Sequence, residues 1–286
     1  MKELFVSYIY RLRHDIAFRI TLFVGIGLAL LMSLLYWGLG KALDTQMISG
    51  QMMLYSSLSP VQNFGIAIPV NLITFTVLEF SQGSIRNKII AGHSKSQVYT
   101  SLVLNGLVFT FILVGVYVGL CFGLGCLFGI HEVDGKWVLG FEPNGAVASI
   151  SQIGSIAFIG TKDFFLGKVI LIAVFSYASI VSFTIFFATL FRNIGPSIPV
   201  IIVGLMICYL AGLLVPLFVL DGNETVLWIF RIVDPLYGLG CIEPLDGSEY
   251  QCISNETLIC SLCSNLFYAT AFYVGGLFIF KNRDVK

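Results

Sequence analysis

The fold is decided by stretches such as Val169-Ile-Leu-Ile-Ala-Val-Phe-Ser-Tyr-Ala-Ser-Ile-Val-Ser-Phe-Thr-Ile-Phe-Phe-Ala-Thr-Leu-Phe191, which contains no Asp, Glu, Lys or Arg. About 20 consecutive apolar residues in an α-helix cross the roughly 30 Å hydrocarbon core of a bilayer. The composition of the whole chain agrees, because hydrophobic types make up 57% of its 286 residues and charged types only 11%. Soluble domains carry about 25% charged residues. The bilayer is therefore expected to be the solvent for most of the chain.

Five further apolar runs resemble this stretch. They lie at residues 20–39, about 58–80, within 96–130, within 193–220 and at 257–280. The run within 96–130 is long enough to tilt in the bilayer or to protrude from it. The pattern predicts an all-α integral membrane protein with six transmembrane helices in a single membrane domain over residues 1–286.

The basic residues indicate the orientation of these spans. With six spans and the N-terminus inside, eleven basic residues lie on the inner side: Lys2, Arg11, Arg13, Arg19, Arg86, Lys88, Lys95, Arg192, Lys281, Arg283 and Lys286. Five lie outside: Lys41, Lys136, Lys162, Lys168 and Arg231. Cytoplasmic loops carry an excess of Lys and Arg. We therefore expect both termini in the cytoplasm and segments 131–168 and 221–256 outside.

Two segments have a less regular pattern. Residues 143–161 are uncharged, but a seventh span there would move Arg192 and the basic tail to the outside, so we interpret them as an interfacial or re-entrant piece. Residues 1–15 have an amphipathic pattern that predicts an interfacial helix on membrane lipid, with a plain lead-in to the first span as the alternative. Its apolar face carries Phe5, Ile9, Leu12 and Ile16, and its polar face Glu3, Ser7, Arg11 and His14.

Catalytic chemistry is missing from the sequence. No ionisable residue lies near the middle of a predicted span, which disfavours ion-coupled carriers and proton relays. No Gly-rich phosphate-binding motif of the GxxxxGK[ST] type is present, and no Cys or His spacing indicates a metal site. We expect no catalytic residue, no metal and no bound cofactor on this chain, and no nucleic-acid partner.

Neutral polar residues do occur within the spans. The candidates for a substrate path are Asn71, Thr74, Asn105, Tyr177 and Ser179. The alternative is that these groups bond their own helix backbone or pack helices together.

The loop after the second span, residues 81–95, has a more specific pattern. It predicts a short helix that Ser84 caps and Gly92 ends, with Ile85, Ile89 and Ile90 on an apolar side and Arg86, Asn87 and Lys88 as its polar residues. An ordinary positive-inside loop needs only charge. A compact amphipathic helix between two turns suits docking into the groove of a partner.

The chain resembles the six-span permease subunits of type V ABC exporters over its whole length. The likeness rests on the lead-in helix, the six spans, the Glu79 to Lys88 segment, Leu190-Phe191-Arg192-Asn193 between spans four and five, and Asp234-Pro235-Leu236-Tyr237 before the last span. It implies a multi-pass permease in the cell membrane, bacterial by our interpretation, with a second permease half. It also implies an ABC ATPase subunit that binds ATP and Mg. The residues it assigns to ATPase coupling are Glu79, Gly83, Ser84, Ile85, Arg86, Asn87, Lys88, Ile89 and Ile90.

The expected function is export of an amphipathic or hydrophobic substrate such as an antimicrobial peptide, toxin, drug or lipid. A non-transporting sensor or assembly subunit that binds a cytoplasmic partner is the main alternative, and a secondary carrier is the third. In the outer segment, Cys241 and Cys252 form a disulfide if that side is oxidising, or stay buried separately.

Overall fold

The computed structural model describes residues 2–42, 53–54, 57–58, 67–129, 131–133, 136–138, 165–218, 243–244, 251–252 and 255–283. The helices are α1 (Lys2–His14), α2 (Ile16–Ala42), α3 (Ala67–Ser81), α4 (Ser84–Ile90), α5 (Lys95–Phe128), α6 (Phe165–Phe191), α7 (Ile194–Phe218) and α8 (Asn255–Asn282). The strands are β1 (His131–Val133), β2 (Lys136–Val138), β3 (Glu243–Pro244) and β4 (Gln251–Cys252).

Four helical segments within the described part are long and apolar enough to cross a membrane: Ile16–Gly38, Lys95–Phe128, Gly167–Phe191 and Leu258–Asn282. The apolar helical stretches Ala67–Ser81 and Ile194–Ile207 are shorter. Large apolar side chains such as Phe23, Phe267 and Phe278 point outward and are at least 67% exposed, which fits lipid and not water as their surroundings. The chain is a multi-pass α-helical membrane protein. The predicted multi-pass helical fold is confirmed, with four of the six predicted spans recovered as long apolar helices in the described part.

Helix α6 lies at the centre of the bundle. It packs most extensively against α8 and also contacts α3, α5 and α7. Its buried face contains Ile172, Val181 and Ile185, each at most 1% exposed. A helix that is apolar all round can make such contacts on several sides. The apolar stretch 169–191, which predicts the membrane fold, therefore also forms the centre of the helix bundle.

Helix α5 contains 34 residues, which is about 51 Å at the 1.5 Å rise of an α-helix. This length exceeds the hydrocarbon core, as predicted for the third span. It begins at a capping box in which Ser94 Oγ accepts from Gln97 N–H at 3.3 Å and Gln97 Oε1 accepts from Ser94 N–H at 3.2 Å. The box ends the preceding loop sharply and fixes where the long helix starts.

The short strands form two antiparallel hairpins that the sequence analysis did not predict. In the first, β1 pairs with β2, with Glu132 opposite Trp137. In the second, β3 pairs with β4, with Glu243 opposite Cys252. Both hairpins lie in the segments 131–168 and 221–256 that we expect outside the membrane, where exposed strand edges are tolerated.

Helix α1 packs through a face that its amphipathic pattern did not single out. Leu4 and Tyr8 are 3% and 0% exposed, whereas Ile9 and Ile16, on the predicted lipid-facing side, are 38% and 68% exposed. The side chains of Phe5 and Leu12 lie outside the described part. The interfacial position of α1 stays a prediction. The side of α1 that faces the protein carries Leu4 and Tyr8.

Glycines allow two close helix contacts. A Cβ on Gly276 of α8 would lie 2.7 Å from Cζ of Tyr99 on α5, and one on Gly106 of α5 would lie 2.8 Å from Cδ1 of Ile185 on α6. Such small residues let helix backbones approach each other closely in membranes. By contrast, a Cβ on Gly115 of α5 would meet nothing within 4 Å.

Gly276→Ala is expected to lower the thermal stability of the purified protein, because the Tyr99 side chain is 0% exposed and has no room to move aside. Gly115→Ala is the matched control, and it should leave the melting temperature unchanged or raise it, since Ala is about 1 kcal/mol better than Gly in a helix interior. Melting in detergent micelles measures both. Equal melting temperatures for the two variants would contradict the close contact of α5 with α8.

Candidate functional site

The candidate coupling segment forms the helix that the sequence predicted, but Ser84 does not cap it. Gly83 occupies the N-cap position in the left-handed region at φ 69°, and no side-chain cap is made there. Ser84 is instead the first helical residue. A glycine reaches this backbone conformation without the steric cost that a side chain would bring, so the turn between α3 and α4 depends on Gly83.

The other end of α4 closes as predicted. Gly92 has φ 94°, its N–H donates to the carbonyl of Ile89 at 3.0 Å, and the N–H of His93 donates to the carbonyl of Lys88 at 3.2 Å. These two bonds define a Schellman motif, which ends a helix sharply at a glycine. The prediction that Gly92 ends the helix is confirmed.

The three isoleucines of α4 have different environments. Ile85 is 1% exposed and belongs to the core of this chain, Ile89 packs partly against that core, and Ile90 is 72% exposed. The sequence placed all three on one apolar side of a helix suited to docking, but the buried Ile85 is not available to a partner. Its side chain attaches α4 to its own bundle, and Ile90 is the apolar side chain left on the surface.

Lys88 also faces its own chain. Its Nζ lies 2.8 Å from Oε2 of Glu79, the last acidic residue of α3, and 3.3 Å from the centre of the Tyr8 ring on α1. Glu79 and Tyr8 are both 0% exposed. The sequence counted Lys88 among the polar residues of a docking helix, whereas in the structure it pairs with a buried carboxylate and joins α4 to α3 and α1.

The outward side of α4 remains accessible. Arg86 and Asn87 are exposed together with Ile90. Beside them, an open groove of about 460 Å³ separates α4 from α1. Its lining residues are Leu4, Ser7, Ser84, Asn87, Lys88, Ala91 and His93. The surface of α4 thus presents Ile90, Arg86 and Asn87 beside a groove with polar and apolar lining, while its other side is attached to the bundle.

The ends of the long helices meet near this segment. Lys95 Nζ donates to the carbonyls of Lys281 and Arg283 at 3.1 and 3.0 Å, and Arg283 Nη1 donates to the carbonyl of Leu190 at 2.7 Å. Cations stabilise the carbonyl ends of helices because those ends carry a partial negative charge. The starts and ends of α5, α6 and α8 are therefore tied together here.

Arg192 occupies the turn between α6 and α7. It has φ 51°, a left-handed conformation that is uncommon for a residue with a side chain, and its guanidinium carbon lies 5.0 Å from the centre of the Phe80 ring. Burial, and to a lesser degree the nearby Arg283, lowers the pKa of Arg192. The sequence marked this residue through its charge at an inner turn and through the resemblance.

The structure separates the five candidate substrate-path residues into two groups. Thr74 Oγ1 donates to the carbonyl of its own helix at Val70, and Ser179 Oγ donates to Ser176 at 2.8 Å and to Oδ1 of Asn265 on α8 at 2.9 Å. These are the backbone and helix-packing roles that we kept as the alternative. Tyr177 is 2% exposed within the core.

Asn71 and Asn105 come together. Both line one small cavity between α3 and α5, and Asp15, in the turn between α1 and α2, lines it as well. The sequence analysis missed Asp15. The available signal was an acidic residue that directly follows one helix and precedes the next, on a side of the membrane with few carboxylates.

Two expectations concern chemistry that the described residues test only partly. The proposed pair Cys241–Cys252 lies outside the described residues, because these do not include Cys241 and include Cys252 only as part of strand β4. Within the described ranges, no three His, Cys, Asp or Glu side chains are grouped to hold a metal ion.

Truncation of the isoleucines should separate the buried from the exposed side of α4. Ile85→Ala should cost about 2–5 kcal/mol, the usual range for emptying a buried aliphatic site, whereas Ile90→Ala should change stability by less than about 0.5 kcal/mol. Thermal unfolding of the two purified variants measures the difference. A larger loss for Ile90→Ala would mean that α4 packs with its other side inward.

Comparison of the chain with protein-family models, with curated proteins and with solved structures finds no match. The arguments about function therefore rest on the residues themselves and on the geometry described above.

Proposed function

We propose that this chain is the membrane subunit of an ATP-driven exporter of the type V ABC kind. The observation that carries the proposal is α4, a short helix fixed to the bundle by Ile85 and Lys88 while Arg86, Asn87 and Ile90 stay exposed. A plain connecting loop needs no such attachment. A helix that must transmit force from a partner to the spans needs both a rigid base and an accessible face.

The contacts of α4 give a route for that force. A displacement of α4 acts on α3 through the Glu79–Lys88 pair and on α1 through the Tyr8 ring. It also reaches α5, because only the turn at Gly92 and the capping box at Ser94 separate α4 from that helix. The groove beside α1 offers space for a side chain or helix of the partner, and Ile90 supplies a buried anchor once the partner covers it.

The chemistry of ATP belongs to the partner in this proposal. A separate ABC ATPase subunit binds ATP and Mg, and this chain holds neither. A second permease chain, identical or similar, completes the membrane part. In this proposal the chain has six spans, both termini and α4 lie in the cytoplasm of a bacterial cell, and α1 lies on membrane lipid. The eleven-to-five distribution of basic residues supports this orientation.

The substrate is amphipathic or hydrophobic. The described spans offer neutral polar and aromatic groups, and Asn71 and Asn105 reach the shared cavity from α3 and α5. That cavity is small, about 10 Å³, which is room for roughly one water molecule. Passage of a whole substrate therefore requires α3 to move relative to α5, and the force enters at the α4 end of both helices.

Substitution of the exposed residues of α4 tests ATPase association. Ile90→Asp and Arg86→Glu should abolish co-purification of an ABC ATPase from the native membrane, or uncouple its activity from substrate, while leaving insertion and melting temperature unchanged. Asn282→Asp adds a carboxylate to another exposed position at the same end of the bundle and is the matched control. Purification of the unmodified chain without any ATPase would support the sensor or assembly subunit instead.

Accessibility of single cysteines in a cysteine-free background tests the orientation. An impermeant thiol reagent applied to intact cells should modify cysteines placed at Asp134 and Asp246, because both lie in the proposed outer segments. A cysteine at Lys286 should react only after the cells are opened. Modification of that position in intact cells would exclude six spans with a cytoplasmic N-terminus.

A further inference from the structure

The small cavity between α3 and α5, beside the turn that precedes α2, has an unusual lining. Polar side chains reach it from three places in the chain: Asp15 from the turn before α2, Asn71 from α3 and Asn105 from α5. The remaining lining residues are Leu72, Phe75, Gly106 and Phe109. Its volume of about 10 Å³ accommodates a single group the size of a water molecule.

The side-chain amides around this cavity already donate hydrogen bonds to other groups. Asn71 Nδ2 donates to Thr21 Oγ1 at 2.7 Å and to the carbonyl of Ala67 at 2.8 Å. Asn105 Nδ2 donates to the carbonyl of Ser101 at 2.7 Å. Because backbone carbonyls only accept hydrogen bonds, these contacts also fix which side-chain atom of each asparagine is the oxygen.

The acceptors are not all used. Asn105 is 1% exposed, and its Oδ1 has no hydrogen-bond partner among the described residues. Leaving such a buried acceptor unsatisfied costs about 1–3 kcal/mol. The half-buried carboxylate of Asp15 accepts from the N–H of Ala17 at 2.9 Å through Oδ1, and an ionised carboxylate has capacity for further donors. The described lining residues therefore include an unsatisfied acceptor and a carboxylate but no cationic side chain.

We propose that this cavity binds a primary ammonium group, so that the exporter carries amphiphiles with a cationic amine. An ammonium group matches the cavity in size, supplies N–H donors to Asn105 Oδ1 and Asp15, and neutralises the carboxylate. Phe75 and Phe109 line the same space, and aromatic rings attract organic cations. An anionic group would instead meet the like charge of Asp15 and the unsatisfied acceptor of Asn105.

The position of Asp15 gives the amine access. It lies in the turn between α1 and α2, and it is half-buried, so the cavity opens toward the end of the bundle where α1 lies. In the proposed orientation this is the inner membrane interface, where the amine of an amphiphile resides. The inference rests on the proposed function for its biological meaning, but binding itself needs no ATPase.

Thermal shift of the full purified chain with three small probes tests the site. We expect n-butylammonium to raise the melting temperature, because a ligand that binds only the folded state stabilises it. Neither 1-butanol, which has no charge, nor n-butyltrimethylammonium, which has no N–H and is too large, should do so. Equal shifts with all three probes would show only non-specific partitioning and would overturn the proposal.

Substitutions in the cavity test whether n-butylammonium binds there. Asp15→Asn and Asn105→Leu should weaken n-butylammonium binding at least about tenfold, and Asn282→Leu, at an exposed site away from the cavity, should not. Asp15→Asn retains an oxygen that caps α2, so it remains informative if Asn105→Leu unfolds. Undiminished binding to Asp15→Asn would contradict the proposal. Because the assay contains no ATPase, its failure leaves the exporter assignment standing, and failure of the ATPase co-purification experiment leaves amine binding standing.

Discussion

The arrangement of the α4 end depends on the buried ion pair between Glu79 and Lys88. Glu79 is 0% exposed, and a buried carboxylate without a positive partner costs several kcal/mol. Lys88 lies 2.8 Å away, so α4 has to stay where its amine reaches α3. The same amine rests on the Tyr8 ring at 3.3 Å, which brings α1 into the assembly. One lysine on a seven-residue helix thus holds three helices together, and the exposed face of α4 is rigid because its other face is anchored.

Away from the Glu79–Lys88 pair, the helices are packed by contacts that are typical of membrane proteins. Glycines bring α5 close to α6 and α8, and buried hydroxyl and amide groups bond across helices, as Asn71 does with Thr21 and Ser179 with Asn265. Cationic side chains tie the helix ends, because free carbonyls there need donors. Asn105 Oδ1 is one of several exceptions to this satisfaction of polar groups among the described residues, together with Thr76 Oγ1, Tyr99 OH and Tyr177 OH. Asn105 lines a cavity with the Asp15 carboxylate, and because unsatisfied polar groups tend to lie at functional positions, we assign a ligand to that cavity.

The sequence predicted the long helices well, since uninterrupted apolar runs have one physical solution in a bilayer. It also predicted that a short helix ends at Gly92. It misassigned Ile85 and Lys88 to a partner, because an amphipathic pattern shows that a face is apolar but not which molecule covers it. Tyr99 and Gly276 are distant in the chain, so their contact has no local signal. Asp15 was missed because a carboxylate before a helix is usually explained by capping alone.

A double-mutant cycle on Glu79 and Lys88 tests the central claim most directly. The free energy of unfolding would be measured for Glu79→Gln, Lys88→Met, the double variant and the unmodified chain. We predict that each single change costs about 3–5 kcal/mol, because it removes one partner of a buried ion pair, and that the double variant costs clearly less than the sum of the two. Additive effects of the two substitutions would show that the pair does not hold α4 to α3, and the account of a rigidly based coupling helix would fail.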